Sequence, residues 1–338
     1  RPRRSSDLAT FANFVMGQNL LSLHGFYYST MGGWWEWAPP CNHTHMPYCE
    51  EMGPFLECTE RLSYILSQGY HRADVAILYP VESVVAGYDQ TAVQKAFSLG
   101  EYLYREGVDF DFMDYESLAK ASIKNSKIHI SGEEFKVLII PSMKAIRHSS
   151  LKKALQFKQN GGIVINLGEL PEATEKKGLN DPEVRSLLNK LFGPDSKNTF
   201  VAKENQEVLD ILDTNLTRDF RILSQQPQKD MPYIMHRKLG NKDLYAVYNV
   251  PSGTECFFHA TGGIELWDPW TGKTKEITAS KTTDKGTIIQ MPMEKQDLHL
   301  FVFDPAKKAI IAEVPQTSVS KTILLDGEWS FDRKRALN

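Results

Sequence analysis

Between Asp7 and Gly17 the apolar residues Leu8, Phe11, Ala12 and Val15 fall on one face of a helix that Asp7 can cap and Gly17 can end. From Asn19 the pattern changes to an apolar and aromatic run through Tyr28, suited to a buried strand, and then to a loop of small residues carrying Trp34, Trp35 and Trp37. Helical spacing returns over Gly53 to Gly69, with Phe55, Leu56, Leu62, Ile65 and Leu66 on the apolar side and Gly69 as terminator.

From Arg72 strands and helices alternate. Ala73 to Pro80, Val108 to Asp114, Phe135 to Pro141 and Ile163 to Gly168 read as strands. Thr91 to Glu106, Ser149 to Asn160 and 181–193 read as helices between and after them. This order predicts a doubly wound parallel sheet of flavodoxin type. The polar groups at its strand ends, Glu82, Ser83, Ser142 and Glu169, form no glycine-rich phosphate cradle and no nucleophile elbow, so the unit reads as structural. Beyond Phe200 short alternating runs separated by Gly-containing turns predict an antiparallel sandwich. Within it Trp267 to Gly272 form a tight hairpin whose aromatics could face a sugar, although packing across the turn is the commoner use. Leu324 to Lys334 read as the opening strand of a further domain.

A chain of 338 residues favours two or three domains. A net charge of -3, with no Lys and Arg clusters among the aromatics, argues against a nucleic-acid partner. No run is long enough to span a bilayer, and the basic start has no apolar segment of a signal peptide behind it. Cys41, Cys49 and Cys58 cluster while Cys256 stands apart; a Cys41–Cys49 bridge is open, and Cys41, His43, His45 and Cys49 match no common zinc spacing, so no metal site is assigned. Asn42-His-Thr44 and Asn215-Leu-Thr217 are glycosylation sequons.

The junction near Tyr28 carries the candidate chemistry. If the Asn19 strand belongs to an α/β barrel, its carboxyl end lines the active site and brings His24, Tyr27, Tyr28 and Trp34 around a pocket. Aromatic faces beside polar tips suit a sugar, with apolar C–H faces and hydroxyl edges. A core histidine satisfied by backbone, in a buried strand followed by a structural loop, fits the same residues.

Leu23 to Ser29, Ala38-Pro39-Pro40, Arg61 to Gly69 and Ala73 to Pro80 resemble the end of the catalytic barrel in glycoside hydrolase family 106, the α-L-rhamnosidases. The parts that follow agree in order: a flavodoxin-like (glutamine-amidotransferase-like) unit similar to that of family 42 β-galactosidases, a small sandwich with Tyr248-Asn249 and Trp267-Asp268-Pro269, and a segment around Leu325 to Phe331 like the first strand of a sugar-binding domain. The fold expected is therefore multidomain α/β plus β. Residues 1–71 would be the last units of a (β/α)8 barrel, 72–200 the flavodoxin-like doubly wound domain, 201–318 the antiparallel β-sandwich, and 319–338 the first strand of a further sandwich.

The resemblance implies a hydrolase acting on terminal sugars of plant-type glycans or glycosides, with inversion. His24, Tyr27, Tyr28 and Trp34 would be substrate-binding. No catalytic residue carries over, since the family's glutamates belong to earlier barrel strands, and Glu36 between two tryptophans is more simply a solvated loop residue. Further expectations are a missing amino-terminal barrel portion, no cofactor in this chain with calcium allowed in the longer enzyme, a carbohydrate partner, no membrane, and an extracytoplasmic (periplasmic or secreted) location. A family 42-like galactosidase and a noncatalytic carbohydrate-binding or scaffold fragment are the alternatives.

Overall fold

The computed structural model describes residues 4–22, 31, 44, 48–88, 91–223, 231–292 and 298–312. Among them is a five-stranded parallel sheet that includes β2 (Val75–Leu78) and β3 (Phe110–Met113). Its strands run Thr199–Ala202, Ile163–Leu167, Val137–Pro141, β2, β3 across the sheet, a doubly wound 2-1-3-4-5 order. Unbroken apolar runs fit this position because a parallel strand is covered on both faces, and every residue of Val137–Pro141 is buried. Helices His148–Gln159 and Pro182–Phe192 cover one face through Leu151, Phe157, Val184 and Leu191. Thr91–Arg105 and Asn205–Asn215 cover the other through Leu99, Leu103, Val208 and Leu212.

The parallel sheet does not end at residue 200, where the sequence reading turned to β structure. Thr199–Ala202 is its edge strand and Asn205–Asn215 a covering helix. The helix had left a trace in Val208, Leu209 and Leu212, which share one face. A small antiparallel sheet of Ser122–Lys124, Lys127–Ile130 and Glu133–Phe135 precedes the central strand; its Asn125 and Ser126 hairpin lies in left-handed backbone, and Phe135 belongs to it rather than to the parallel strand.

The rest is antiparallel, as the turn-separated runs require. A six-stranded sheet contains β1 (Tyr70–His71), followed across the sheet by Tyr233–Leu239, Lys242–Tyr248, Leu298–Asp304, Gly263–Trp267 and Thr274–Ile277. A four-stranded sheet of Phe220–Ile222, Glu255–Phe258, Gly286–Gln290 and Lys281–Thr283 faces it across a core of Tyr245, Phe258, Phe301 and Phe303. The other face of the six-stranded sheet, with Met235, Leu244, Ala246 and Leu300, is covered by α1 (Arg4–Val15) and α2 (Met52–Ser67) through Phe11, Phe14, Cys58 and Leu62. The inner strand Leu298–Asp304 is accordingly buried at all seven positions.

α1 starts at Arg4, which puts Asp7 inside the helix instead of at its cap, while Gly17 at φ +104° ends it as expected. On α2, Leu62 and Leu66 are buried but Leu56 is 43% exposed, because Cys58 and Thr59 take the inward positions. The Asn19 strand expected of a barrel lies mostly outside the described residues; Asn19 to Ser22 carry no regular structure. The segment around Leu325 also lies outside. Among the described residues no helix is long and apolar enough to cross a membrane.

The Trp267 hairpin packs rather than opening to a ligand. Its turn is closed by Asp268 N–H to Lys273 O at 2.9 Å and Gly272 N–H to Asp268 O at 2.8 Å. Arg61 of α2 donates from Nη1 to the carbonyls of Pro269 (3.1 Å) and Trp270 (2.8 Å), and Trp270 meets the edge of Phe11 at 5.8 Å.

Candidate functional site

The sugar-binding candidates His24, Tyr27, Tyr28 and Trp34 lie outside the described residues, as do Glu36, Cys41, His43 and His45. Among the described residues Cys49 is a free thiol; Cys41, its partner in the bridge left open by the sequence, lies outside them. At the carboxyl ends of the parallel strands the polar groups are committed to neighbouring loops. Ser83 Oγ accepts from Ala145 N–H at 3.2 Å, Ser142 Oγ accepts from Glu169 N–H at 3.3 Å, and Glu82 holds Arg147 at 3.1 Å. These contacts tie strand ends together and fit the structural reading of that edge.

Titratable groups converge instead where β1 meets the parallel sheet. β1 pairs antiparallel with Tyr233–Leu239, setting His71 opposite Arg237, and points the His71 ring at the edge strand β3. There the alternation of Asp109, Phe110 and Asp111 puts both carboxylates on one side. His71 Nε2 lies 2.7 Å from Asp109 Oδ2 and Nδ1 lies 2.8 Å from Asp111 Oδ2. Only an imidazolium donates from both nitrogens. Burial opposes that charge, but Asp109 and Asp111 outweigh it and hold the His71 pKa well above its ordinary value. Burial pushes Asp109 up, with His71 pulling it back down, and its second oxygen accepts the Phe110 N–H at 2.9 Å. Glu133 stands close by, pushed up by burial and by Asp111, and the Tyr104 phenol beside Asp109 is pushed up by burial and the two aspartates. Arg237 donates to the carbonyls of Gln68 (2.9 Å) and Gly69 (3.2 Å) at the end of α2.

A second clamp of the same kind lies on Tyr233–Leu239. His236 Nδ1 is 3.1 Å from Asp219 and Nε2 is 2.7 Å from Asp243, while the ring stacks on Tyr245 at 4.1 Å. Burial opposes protonation, yet Asp219 and Asp243 raise the His236 pKa. Lys238 also reaches Asp243 at 2.7 Å. Arg72, whose N–H donates to His236 O at 2.9 Å, is anchored on Asp74 at 2.6 Å together with Lys136 at 3.0 Å. Between the clamps is a cavity of about 30 Å³ lined by Arg72, Asp74, Asp109 and Asp219, room for roughly one water.

His71, Asp111 and Glu133 bring ligand atoms within 4.8 Å of one another. They do not fit calcium: the ion takes six or more oxygens, whereas His71 offers nitrogen, and that nitrogen is held by Asp111. Nor do the aspartates form a glycosidase pair, which needs a sugar and a water between its carboxylates; here an imidazolium fills the gap. The arrangement joins elements. Its sequence signal was the period-two placement of Asp109 and Asp111, with nothing local to indicate a histidine 38 and 40 residues upstream.

No curated protein matches the chain. In fold it is similar to a rhamnosidase from Novosphingobium sp. PP1Y, at 18% identity and a TM-score of 0.66, over 93% of this chain and 30% of that one. It is also similar to a GH42 β-galactosidase from G. stearothermophilus, at 13% identity and a TM-score of 0.50, over 78% of this chain and 44% of that one. The chain thus spans about 30% of the length of the first. A family model described as alpha-L-rhamnosidase matches residues 41–281, which takes in α2, the parallel sheet and most of the antiparallel strands, and the chain belongs to that glycoside hydrolase family.

Proposed function

We propose that this chain is part of a longer glycoside hydrolase of α-L-rhamnosidase type that removes terminal sugars from plant-type glycans or glycosides, and that the described residues from 72 onward form the body supporting its catalytic barrel. The observation that carries this is the single family match running from residue 41 through both sheet systems to residue 281. In this reading residues 1–71 are the last units of a (β/α)8 barrel. The parallel sheet is a flavodoxin-like unit that extends past residue 200 to the end of helix Asn205–Asn215, and the antiparallel strands are the sandwich that follows. α1 and α2 then join barrel to sandwich, fixed by Arg61 on the Trp267 hairpin. His24, Tyr27, Tyr28 and Trp34 contact the sugar, the catalytic carboxylates and any calcium belong to the amino-terminal barrel portion, and the enzyme works outside the cytoplasm.

The test is turnover of aryl α-L-rhamnosides and aryl β-galactosides by the protein from the full reading frame and by this chain alone. Rhamnoside hydrolysis by the full protein and none by this chain is expected. Galactoside hydrolysis alone would favour the reading suggested by the GH42 likeness, and no turnover by either protein would leave a carbohydrate-binding scaffold. Within an active enzyme, His24→Ala should lower kcat/KM about a hundredfold, the loss of roughly 2–4 kcal/mol of transition-state hydrogen bonding, with the melting temperature nearly unchanged. A large fall in melting temperature with kcat intact would make His24 a packing residue.

A further inference from the structure

The two histidine clamps look alike but are built for different tasks. His236 joins strands inside the antiparallel body, and its carboxylates keep other cations: Lys238 holds Asp243, and Arg72 lies near Asp219. His71 alone bridges the antiparallel sheet and the parallel sheet, its ring held between Asp109 and Asp111. The groups facing it are Asp109 and Asp111 at β3, Glu133 from the small sheet, Tyr104 from helix Thr91–Arg105, and Arg237 from the paired strand. Of these only Arg237 is cationic; it donates to the carbonyls of Gln68 and Gly69 while its charge also acts on Glu133 and Asp111. Away from His71 the joint is crossed by Arg218, which donates to Glu106 O at 2.9 Å, by the exposed pair of Arg221 with Asp213 at 3.2 Å, and by ring contacts. Tyr104 meets Tyr233 ring to ring at 6.2 Å, and Gly107 lies against Phe220.

We propose that His71 is a proton-operated latch that docks the parallel-sheet unit on the antiparallel body, closed while its imidazole is charged and released when the proton leaves. A neutral imidazole has one N–H, so one aspartate loses its donor and faces a ring lone pair; three carboxylates, Asp109, Asp111 and Glu133, are then left close together with the single guanidinium of Arg237. The water-sized cavity reaching Asp109 gives the proton a way out. The sign follows from the raised pKa of His71: its contribution is complete below the ordinary imidazole value and is lost as pH climbs through the folded one. His236 stays compensated through the same range, so the antiparallel body holds while the joint opens.

Hydrogen exchange on the whole chain, corrected for the intrinsic pH dependence of amide exchange, reads this directly. Between about pH 6 and about pH 9.5, protection of segment 104–113 should fall about tenfold or more, while Ile163–Leu167 and Lys242–Tyr248 keep their protection. His71→Gln should show the low protection at every pH. Asp111→Asn should move the fall to lower pH, because one of the two carboxylates that hold the proton is gone. A flat profile in the wild type, or an Asp111→Asn profile with its midpoint unmoved, would overturn the latch even if His71→Gln failed to fold.

Discussion

Gly100 sits in the middle of helix Thr91–Arg105, where alanine ordinarily stabilises by roughly 1 kcal/mol. Here a Cβ would lie 2.5 Å from the Phe110 ring, which is packed edge-on against Tyr104 and Phe112 at 5.3 Å each and has nowhere to retreat. Overpacking of this kind costs about 1–3 kcal/mol, so Gly100→Ala should come out destabilising by about 1 kcal/mol in a denaturant titration. A gain in stability would mean that the Phe110 ring swings aside. Helical spacing sets Gly100 on the same face as Ala96 and Leu103 but does not reveal its partner ring, which enters from a strand set by the parallel pairing of β2 with β3. Gly69 shows the same limit. Its stop signal for α2 was readable, and it does lie at φ +62°, but a Cβ there would meet Lys238 O at 1.8 Å, a close approach that only the pairing of β1 creates.

Among the elements, α2 rests on the sandwich through Cys58, Leu62 and Leu66, and one side chain, Arg61, clasps it to the Trp267 hairpin. Arg61 is about a third exposed, so its bonds to Pro269 O and Trp270 O count toward the low end for charged donors, and Arg61→Ala should cost about 1–2 kcal/mol. Glu57→Ala should change stability by less than about 0.5 kcal/mol, since that i,i+4 pair is solvated. Thermal melts of the two variants separate the contributions, and equal losses would show that the ion pair rather than the carbonyl contacts holds the helix. Elements with unbroken apolar runs or strong periodicity were legible: the central parallel strands, Leu298–Asp304 and the helices of the α/β unit. Asn205–Asn215 was not, because its apolar face is one narrow stripe among polar residues and it follows an edge strand of four residues. The histidine clamps were invisible for a different reason, since each brings together groups that only tertiary pairing makes neighbours.

For the molecule as a whole, the reach of the parallel sheet decides where it can be cut. Ending the unit at residue 200 would remove Ala202, Val208, Leu209 and Leu212 from the core around Val75, Ile77 and Ile165. At roughly 1.5–3 kcal/mol for each large aliphatic side chain, that loss rivals the whole stability of a domain. A 72–217 polypeptide should therefore unfold cooperatively, and a 72–200 polypeptide should bind hydrophobic dye and show no sharp transition; cooperative unfolding of the shorter piece would count against the extension. The central strand of the antiparallel sheet bears on how the chain is made. Leu298–Asp304 lies between Lys242–Tyr248 and Gly263–Trp267 and supplies Leu298, Leu300 and Val302 to the surface on which α1 rests. Roughly 280 residues separate Phe14 from that strand, on the order of 15 to 60 s of translation at 5–20 residues per second. Through that interval the apolar stripe of α1 has no finished sheet beneath it, so the nascent chain offers a ribosome-associated chaperone a client segment long before the strand that covers it is made.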